Sequence, residues 1–243
     1  MPYGPTCDHP VTRAAMVHGW DDVTFLHYSF APAAVQALLP DGLTVETRQG
    51  QAWVSLVPFF LRVGLPRFPF VPWLSRFPET NVRTYVRAAD GTTGIWFFSL
   101  DAARLGAVIV ARATYRIPYF WSRMRIDRHG STVRYECRRR WPGPRGASSV
   151  VEIDIGERFA ISDLSELDHF LTARWALFSA PVAGLRHARA FHDPWPLHRA
   201  TVRRCDDELV RAAGLPAPTA PPIAHWSPSV EVRIGWPTRV RVR

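Results

Sequence analysis

The chain is 243 residues long with a net charge of +9, and all thirty of its basic side chains are arginine. Without lysine it can form no side-chain Schiff base with a carbonyl substrate or with pyridoxal phosphate, which removes whole classes of reaction. Its three cysteines, Cys7, Cys137 and Cys205, are far apart and form no C-x-x-C pair, which argues against a disulfide framework and a cysteine zinc site.

The opening MPYGPTCDHP lacks the charged start and apolar stretch of a signal peptide. The most apolar window, Ala52 to Leu74, is broken by Arg62, Arg67 and four prolines, so a cytoplasmic protein with no membrane partner is expected. The stretch to Phe30 reads as an extended lead-in. Pro32 to Leu39 fits a short helix with proline in its first turn and Pro40, Asp41 and Gly42 as its stop. Leu43 to Thr47 and Gln51 to Val63 read as a hairpin about Arg48-Gln49-Gly50, the second strand carrying Trp53, Val57, Phe59 and Leu61 on one face. A proline-rich loop is expected from Pro66 to Pro78.

Asn81 to Ala88 and Ile95 to Leu100 are β-type runs joined across Asp90-Gly91, and the second, apolar on both faces until Ser99, reads as central. From Asp101 as N-cap, Leu105, Val108 and Ile109 recur at helical spacing until Pro118 forbids continuation, placing a helix end near Tyr115. Strands are expected at Arg123 to Ile126, Ser131 to Arg140 and Ser149 to Ile155. A Ser-x-x-Asp start and an apolar stripe predict the main helix over Ser165 to Phe178. A shorter helix from Asp206 ends at Gly214, and a half-buried last strand runs from Val230 to Trp236. Neither half carries a complete set of elements, so residues 1–243 read as one domain, mainly β with a few helices in an α+β arrangement.

There is no GxGxxG, phosphate loop, HExxH or GxSxG in the chain. Short arginine runs such as Arg138 to Arg140 come with no nucleic-acid motif, and read as solvated charge where other proteins use lysine; no nucleic-acid partner is expected. In FPETNVRTYV, strand alternation puts Glu79, Asn81, Arg83 and Tyr85 on one face. Facing inward, Arg83 can hold a carboxylate by a two-pronged hydrogen bond while Glu79, its pKa raised by burial, gives or takes a proton. Facing water, the same row is a solvated pair of little consequence. In ARATYRIPYF, Arg112, Tyr115 and Tyr119 flank a proline, and Tyr119 is either a phenolic donor into a pocket or a packed ring bonded to backbone. RHARAFHDPWPLH gathers His187, His192, Asp193 and His198, but the spacing matches no metal site; no metal is expected, and His192 and Trp195 read as loop residues closing over a cavity.

Several segments together resemble a bacterial family of uncharacterised proteins, DUF2071 or YqjF-like, within the acetoacetate decarboxylase-like superfamily. The carriers are WDDVTFLHYSF, LLPDGLTVET, QAWVSLVPF, FPETNVRTYVR, GIWFFSLDA, ARATYRIPYF, FLTARW, HDPWPLH, and AAGLPAP followed by HWSPSVEVRI. The resemblance implies a mainly antiparallel, cone-like β-barrel with a few peripheral helices around a pocket, and self-association like that of the related decarboxylases. In acetoacetate decarboxylases a nucleophilic lysine and a lysine neighbour follow a Gly-x-Pro turn. Here Arg116-Ile117-Pro118 is followed by the aromatics Tyr119 and Phe120, so the resemblance implies a retained cavity without the amine needed for decarboxylation. It also implies that Glu79 matches an acidic pocket residue of that superfamily, and that lysine-lacking relatives carry out hydratase, lyase and cyclase-like reactions.

The reading reached is a cofactor-independent enzyme of lyase, hydratase or cyclase type acting on a small acidic or carbonyl compound. Glu79 is the acid or base, Arg83 the anion clamp and Tyr119 an added donor, with Asn81, Tyr85, Arg112, Tyr115 and His192 as binding residues and Trp96, Phe98 and Trp195 as apolar walls. A non-catalytic binding or sensing module using the same pocket is the alternative.

Overall fold

The computed structural model describes residues 6–7, 9–66, 75–114, 116–181 and 184–240. The first half comprises strands β1 (Met16–Phe30), β2 (Leu43–Val45), β3 (Thr47–Arg48), β4 (Gln51–Gly64), β5 (Arg76–Ala88) and β6 (Thr93–Ala102), with helices α1 (Pro32–Gln36) and α2 (Leu105–Thr114). Then follow β7 (Tyr119–His129), β8 (Thr132–Trp141), β9 (Ser148–Arg158), helix α3 (Glu166–Thr172), β10 (Ala176–Ser179) and β11 (Arg186–His192). The chain continues through β12 (His198–Asp207), α4 (Leu209–Ala212), β13 (Ile223–Ile234) and β14 (Thr238–Arg239).

Hydrogen-bonded neighbours run β6-β7-β8-β9-β12-β13-β1-β4-β5, and β5 pairs back onto β6, so the strands close into a ring. Strands β10 and β11 bridge from β6 to β13. Pairing is antiparallel except at β6–β7 and β6–β10, which are parallel. The strip β1-β4-β5 is buried on both faces. Leu26, Val54, Leu56 and Val82 pack with Val133, Tyr135, Val151 and Ile153 of β8 and β9. The alternate residues, Phe25, Val57, Phe59 and Glu79, border a cavity. Burial on both faces accounts for the near-continuous apolar run of β4.

Several expected elements change extent. The stretch before Phe30 is a 15-residue strand paired on both sides, because it supplies the partner that β4 and β13 need. The hairpin at Gln49-Gly50 forms, with both turn residues at positive φ of 55° and 73°, but only Thr47 and Arg48 pair with β4, while Leu43–Val45 pair with β5. Asp101 is no helix cap: it lies within β6, next to its last residue, fully buried, and takes two hydrogen bonds from Arg139 at 2.6 and 2.9 Å.

The helix expected over Ser165 to Phe178 is half that length. Its capping box is present, with the Asp168 N–H donating to Ser165 Oγ at 3.2 Å and the Ser165 N–H to Asp168 at 2.8 Å. It stops at Thr172 because the edge of β6 recruits the next residues as strand β10, pairing Leu177 with Ile95 and Phe178 with Trp96. Helix α4 begins only at Leu209, since residues up to Asp207 pair with β9, and the last strand starts at Ile223, earlier than its Val230 to Ile234 alternation suggests. Strand β5 begins at Arg76, inside the expected loop, whose residues 67–74 lie outside the described ones.

Candidate functional site

Register places the cavity side chains in layers across β1, β4 and β5. Trp20, Leu61 and Phe77 share the outermost of these, Phe59 and Glu79 the next, and Val57 and Asn81 the one below. Arg83 lies at the inner end, in register with Ser55 and through it with His27, which stand beneath the cavity and do not line it. Residues of β6, β10, β11, β13 and α2 complete a cavity of about 470 Å³.

Glu79, Asn81 and Arg83 all face this cavity and are 3–4 % exposed. The Tyr119 hydroxyl, also at the wall, donates to Glu79 Oε2 at 2.8 Å. Burial pushes the Glu79 carboxyl up to about 8; the Tyr119 hydrogen bond pulls the other way and the Asp101 charge adds to the rise. At neutral pH Glu79 is therefore mostly a protonated acid. Tyr119 is raised well above the ordinary phenol value, first by burial and then by the Glu79 charge, and stays a donor.

Arg83 is a buried cation that forms no ion pair among the described residues, and its Nε has no hydrogen-bond partner. Its guanidinium lies 5.4 Å from the centre of the Phe25 ring. Burial lowers its pKa while Tyr85 opposes that shift, and a guanidinium remains charged. The side-chain oxygen Oδ1 of Asn81 is also buried, with no hydrogen-bond partner among the described residues.

The other expected site residues divide. Trp195 lines the cavity, its Nε1 donating to the Thr172 carbonyl at 3.1 Å. His192 is not at the wall; it is packed behind, with ring centres 4.9 Å from Trp195 and 4.6 Å from Trp175, and burial holds it at about 4. Tyr85 lies beneath the inner end, donating to the Leu171 carbonyl at 2.7 Å and sharing a 2.6 Å bond with Ser55 Oγ. Arg112 donates to the Tyr119 carbonyl at 2.7 Å, so it fixes the backbone that carries the phenol rather than bordering the cavity. Tyr115 lies outside the described residues.

Trp96 and Phe98 do not line the cavity; Phe97 and Leu100 do. The β5–β6 register shifts between Val82 and Arg83, which pair with Ser99 and Phe97, leaving Phe98 as the extra residue of a bulge. The bulge brings Phe97 and Leu100, three apart, to one face. Trp96 packs instead against Leu43, Val86 and Phe178, and Phe98 against the opposite core.

Sequence reasoning missed the β1 contribution, Trp20 and Phe25, and the polar floor in which His27 Nδ1 meets Ser55 Oγ at 2.6 Å. Strand alternation from Val23 through Phe25 to His27 was the signal available for Phe25; Trp20 has the other parity, across the irregularity between Asp21 and Leu26. Among the described residues no group of three or more His, Cys, Asp or Glu is placed to hold a metal, and no helix is long and apolar enough to cross a membrane.

The ring of strands around this cavity matches the acetoacetate decarboxylase-like fold. The chain aligns with an acetoacetate decarboxylase-like enzyme from Sphingomonas wittichii RW1 at TM-score 0.64 and 16% identity, covering 97% of this chain and 100% of that one. It aligns with the enduracididine biosynthesis enzyme MppR complexed with pyruvate at TM-score 0.62 and 12% identity, over 95% and 92%. At such identities the likeness is one of fold. Within that fold the chain belongs to the DUF2071 family, whose model, described as an uncharacterized conserved protein, matches residues 17–231. It is 33% identical over 221 residues to the uncharacterized protein YqjF of Bacillus subtilis (strain 168), covering 90% of each.

Proposed function

We propose that this chain is a cofactor-independent enzyme of lyase, hydratase or cyclase type, acting on a carbonyl-bearing carboxylate held in the cavity and using no lysine Schiff base. The observation that carries this reading is a buried Glu79, its carboxyl pushed up to about 8, in the same cavity as a buried arginine that has no ion-pair partner among the described residues. A buried charge without a counter-ion is costly, and a bound carboxylate would offset that cost through a two-pronged hydrogen bond. A fold neighbour, MppR, is complexed with pyruvate, an oxo acid of this kind.

In this scheme the guest's carboxylate sits on Arg83. The Glu79 acid gives its proton to the carbonyl oxygen or to a departing hydroxyl, and its carboxylate form then takes a proton from the carbon beside the carbonyl, which restores the acid. Tyr119, held by its bond to Glu79, keeps the carboxyl aimed and supplies a second hydrogen bond as charge shifts between the oxygens.

Deuterium exchange at the carbons beside the carbonyl, followed by proton NMR in D₂O, tests this with a panel of 2-, 4- and 5-oxo carboxylates from pyruvate upward. At least one should exchange faster with the protein than without. Glu79→Gln should slow that exchange about 100-fold or more while binding stays within about threefold. Binding of the panel with no accelerated exchange would leave a binding module, and wild-type exchange in Glu79→Gln would remove Glu79 from the chemistry.

A further inference from the structure

The cavity is larger and far more apolar than a three-carbon acid requires. Its volume of about 470 Å³ lies in the range that encloses drug-sized ligands. Among the described lining residues, Glu79 and Arg83 are the only carboxylate and guanidinium, and both lie inward of the Trp20, Leu61 and Phe77 layer. His18, further out, has its pKa lowered by burial to about 4 and adds no charge at neutral pH. On the α2 side the wall is apolar even where it meets solvent, since Val110 borders the cavity and is 58% exposed.

Spacing along β5 adds a constraint. Four residues of extended strand, about 13 Å, separate the Cα positions of Glu79 and Arg83. No ion pair joins the two side chains among the described residues, and Asn81, whose side-chain Oδ1 is unpartnered among them, stands between the two. A guest that engages both ends therefore has a body laid along the strand.

We infer that the natural guest is an amphipathic monocarboxylate, its acid group inward on Arg83 and its apolar body, longer than that of pyruvate, passing Glu79 and filling the outer layers towards Val110. This rests on the proposed role of Arg83 as anion clamp and adds both the class of the guest and its head-inward orientation. The reacting carbon then lies at the level of Glu79, several bonds from the carboxylate.

Trp20 and Trp195 line the cavity, so intrinsic fluorescence reports occupancy. The wild-type protein is titrated with pyruvate, butanoate, hexanoate, octanoate and octan-1-ol. Affinity should rise about fourfold for each added methylene from butanoate to octanoate. Octanoate should bind at least tenfold more tightly than octan-1-ol, and pyruvate should be the weakest acid. Arg83→Met should abolish the advantage of octanoate over octanol while octanol still binds, which also shows that the variant is folded. Ala188→Phe, which narrows the apolar wall with Arg83 intact, should weaken octanoate more than butanoate.

A flat series, or pyruvate binding as tightly as octanoate, would overturn the inference and leave the Glu79 reading standing for a small substrate. Loss of octanoate's advantage over octanol in the wild type, or its persistence in Arg83→Met, would overturn the anion clamp itself and with it the proposed function. Octanol binding as tightly as octanoate would assign the cavity to neutral apolar guests.

Discussion

The Tyr119 hydroxyl reaches Glu79 across two strand boundaries. Tyr119 pairs in parallel register with Leu100, Leu100 pairs with Asn81, and Glu79 stands one cavity-facing position along from Asn81. The 2.8 Å bond between phenol and carboxyl is thus fixed by backbone pairing on three strands, and Arg112 secures the Tyr119 carbonyl from behind.

Tyr119→Phe removes a hydrogen bond that favours ionised Glu79, so the Glu79 pKa should climb further above about 8. Carbon-13 NMR of labelled glutamate across pH 6 to 10 reads the shift directly. A midpoint that stays put or falls would show that the phenol does not act on the carboxyl.

Because the folded-state pKa of Glu79 is raised from 4.5 to about 8, the native state binds this proton more tightly than the unfolded chain. The stabilisation is complete below pH 4.5, and it drains away at up to about 1.4 kcal/mol per pH unit as pH rises towards 8. Urea denaturation at pH 5 and pH 8 should show Glu79→Gln gaining on the wild type at the higher pH. Parallel pH dependence in the two proteins would contradict the buried acid.

Arg139 and Asp101 form an ion pair with both side chains at zero exposure, and the guanidinium lies 3.6 Å from the centre of the Phe120 ring. Arg139→Met alone should cost about 3–5 kcal/mol in urea unfolding, because it strands a buried carboxylate. Adding Asp101→Asn should recover a large part of that loss. Equal stability of the single and double variants would show that the carboxylate finds another partner.

A Cβ added at Gly94 would meet the Ala176 carbonyl oxygen at 2.5 Å, a contact with backbone that cannot swing aside. Gly94→Ala should push β10 off β6 and destabilise the protein by about 1–3 kcal/mol. Thermal unfolding measures the cost, and an unchanged midpoint would mean that β10 moves freely.

The sequence displayed whatever depends on local alternation. Glu79, Asn81 and Arg83 share a face because a strand repeats every two residues, and the capping box at Ser165 is written in four consecutive positions. Features decided by a partner strand were hidden. The bulge that exchanges Trp96 and Phe98 for Phe97 exists only in the pairing of β5 with β6, and α3 stops at Thr172 because β6 needs a neighbour. The floor joins His27, Ser55 and Tyr85 from three separate strands, so no local pattern announces it. Arg112 looked like a pocket residue by nearness in sequence to Tyr119, and that nearness is spent on holding its carbonyl.

Strands β4 and β5 divide their residues by parity. On β5, odd-numbered Phe77, Glu79, Asn81 and Arg83 meet the cavity while Val82 meets the core; on β4, Val57, Phe59 and Leu61 meet the cavity while Val54 and Leu56 meet the core. Selection can therefore change what the protein accepts at every second position while leaving the Val54, Leu56 and Val82 side of the sheet in place. Descendants of one ancestor can drift to different chemistries on an unchanged frame, and an alignment of this family should show two interleaved rates of change along each of these strands.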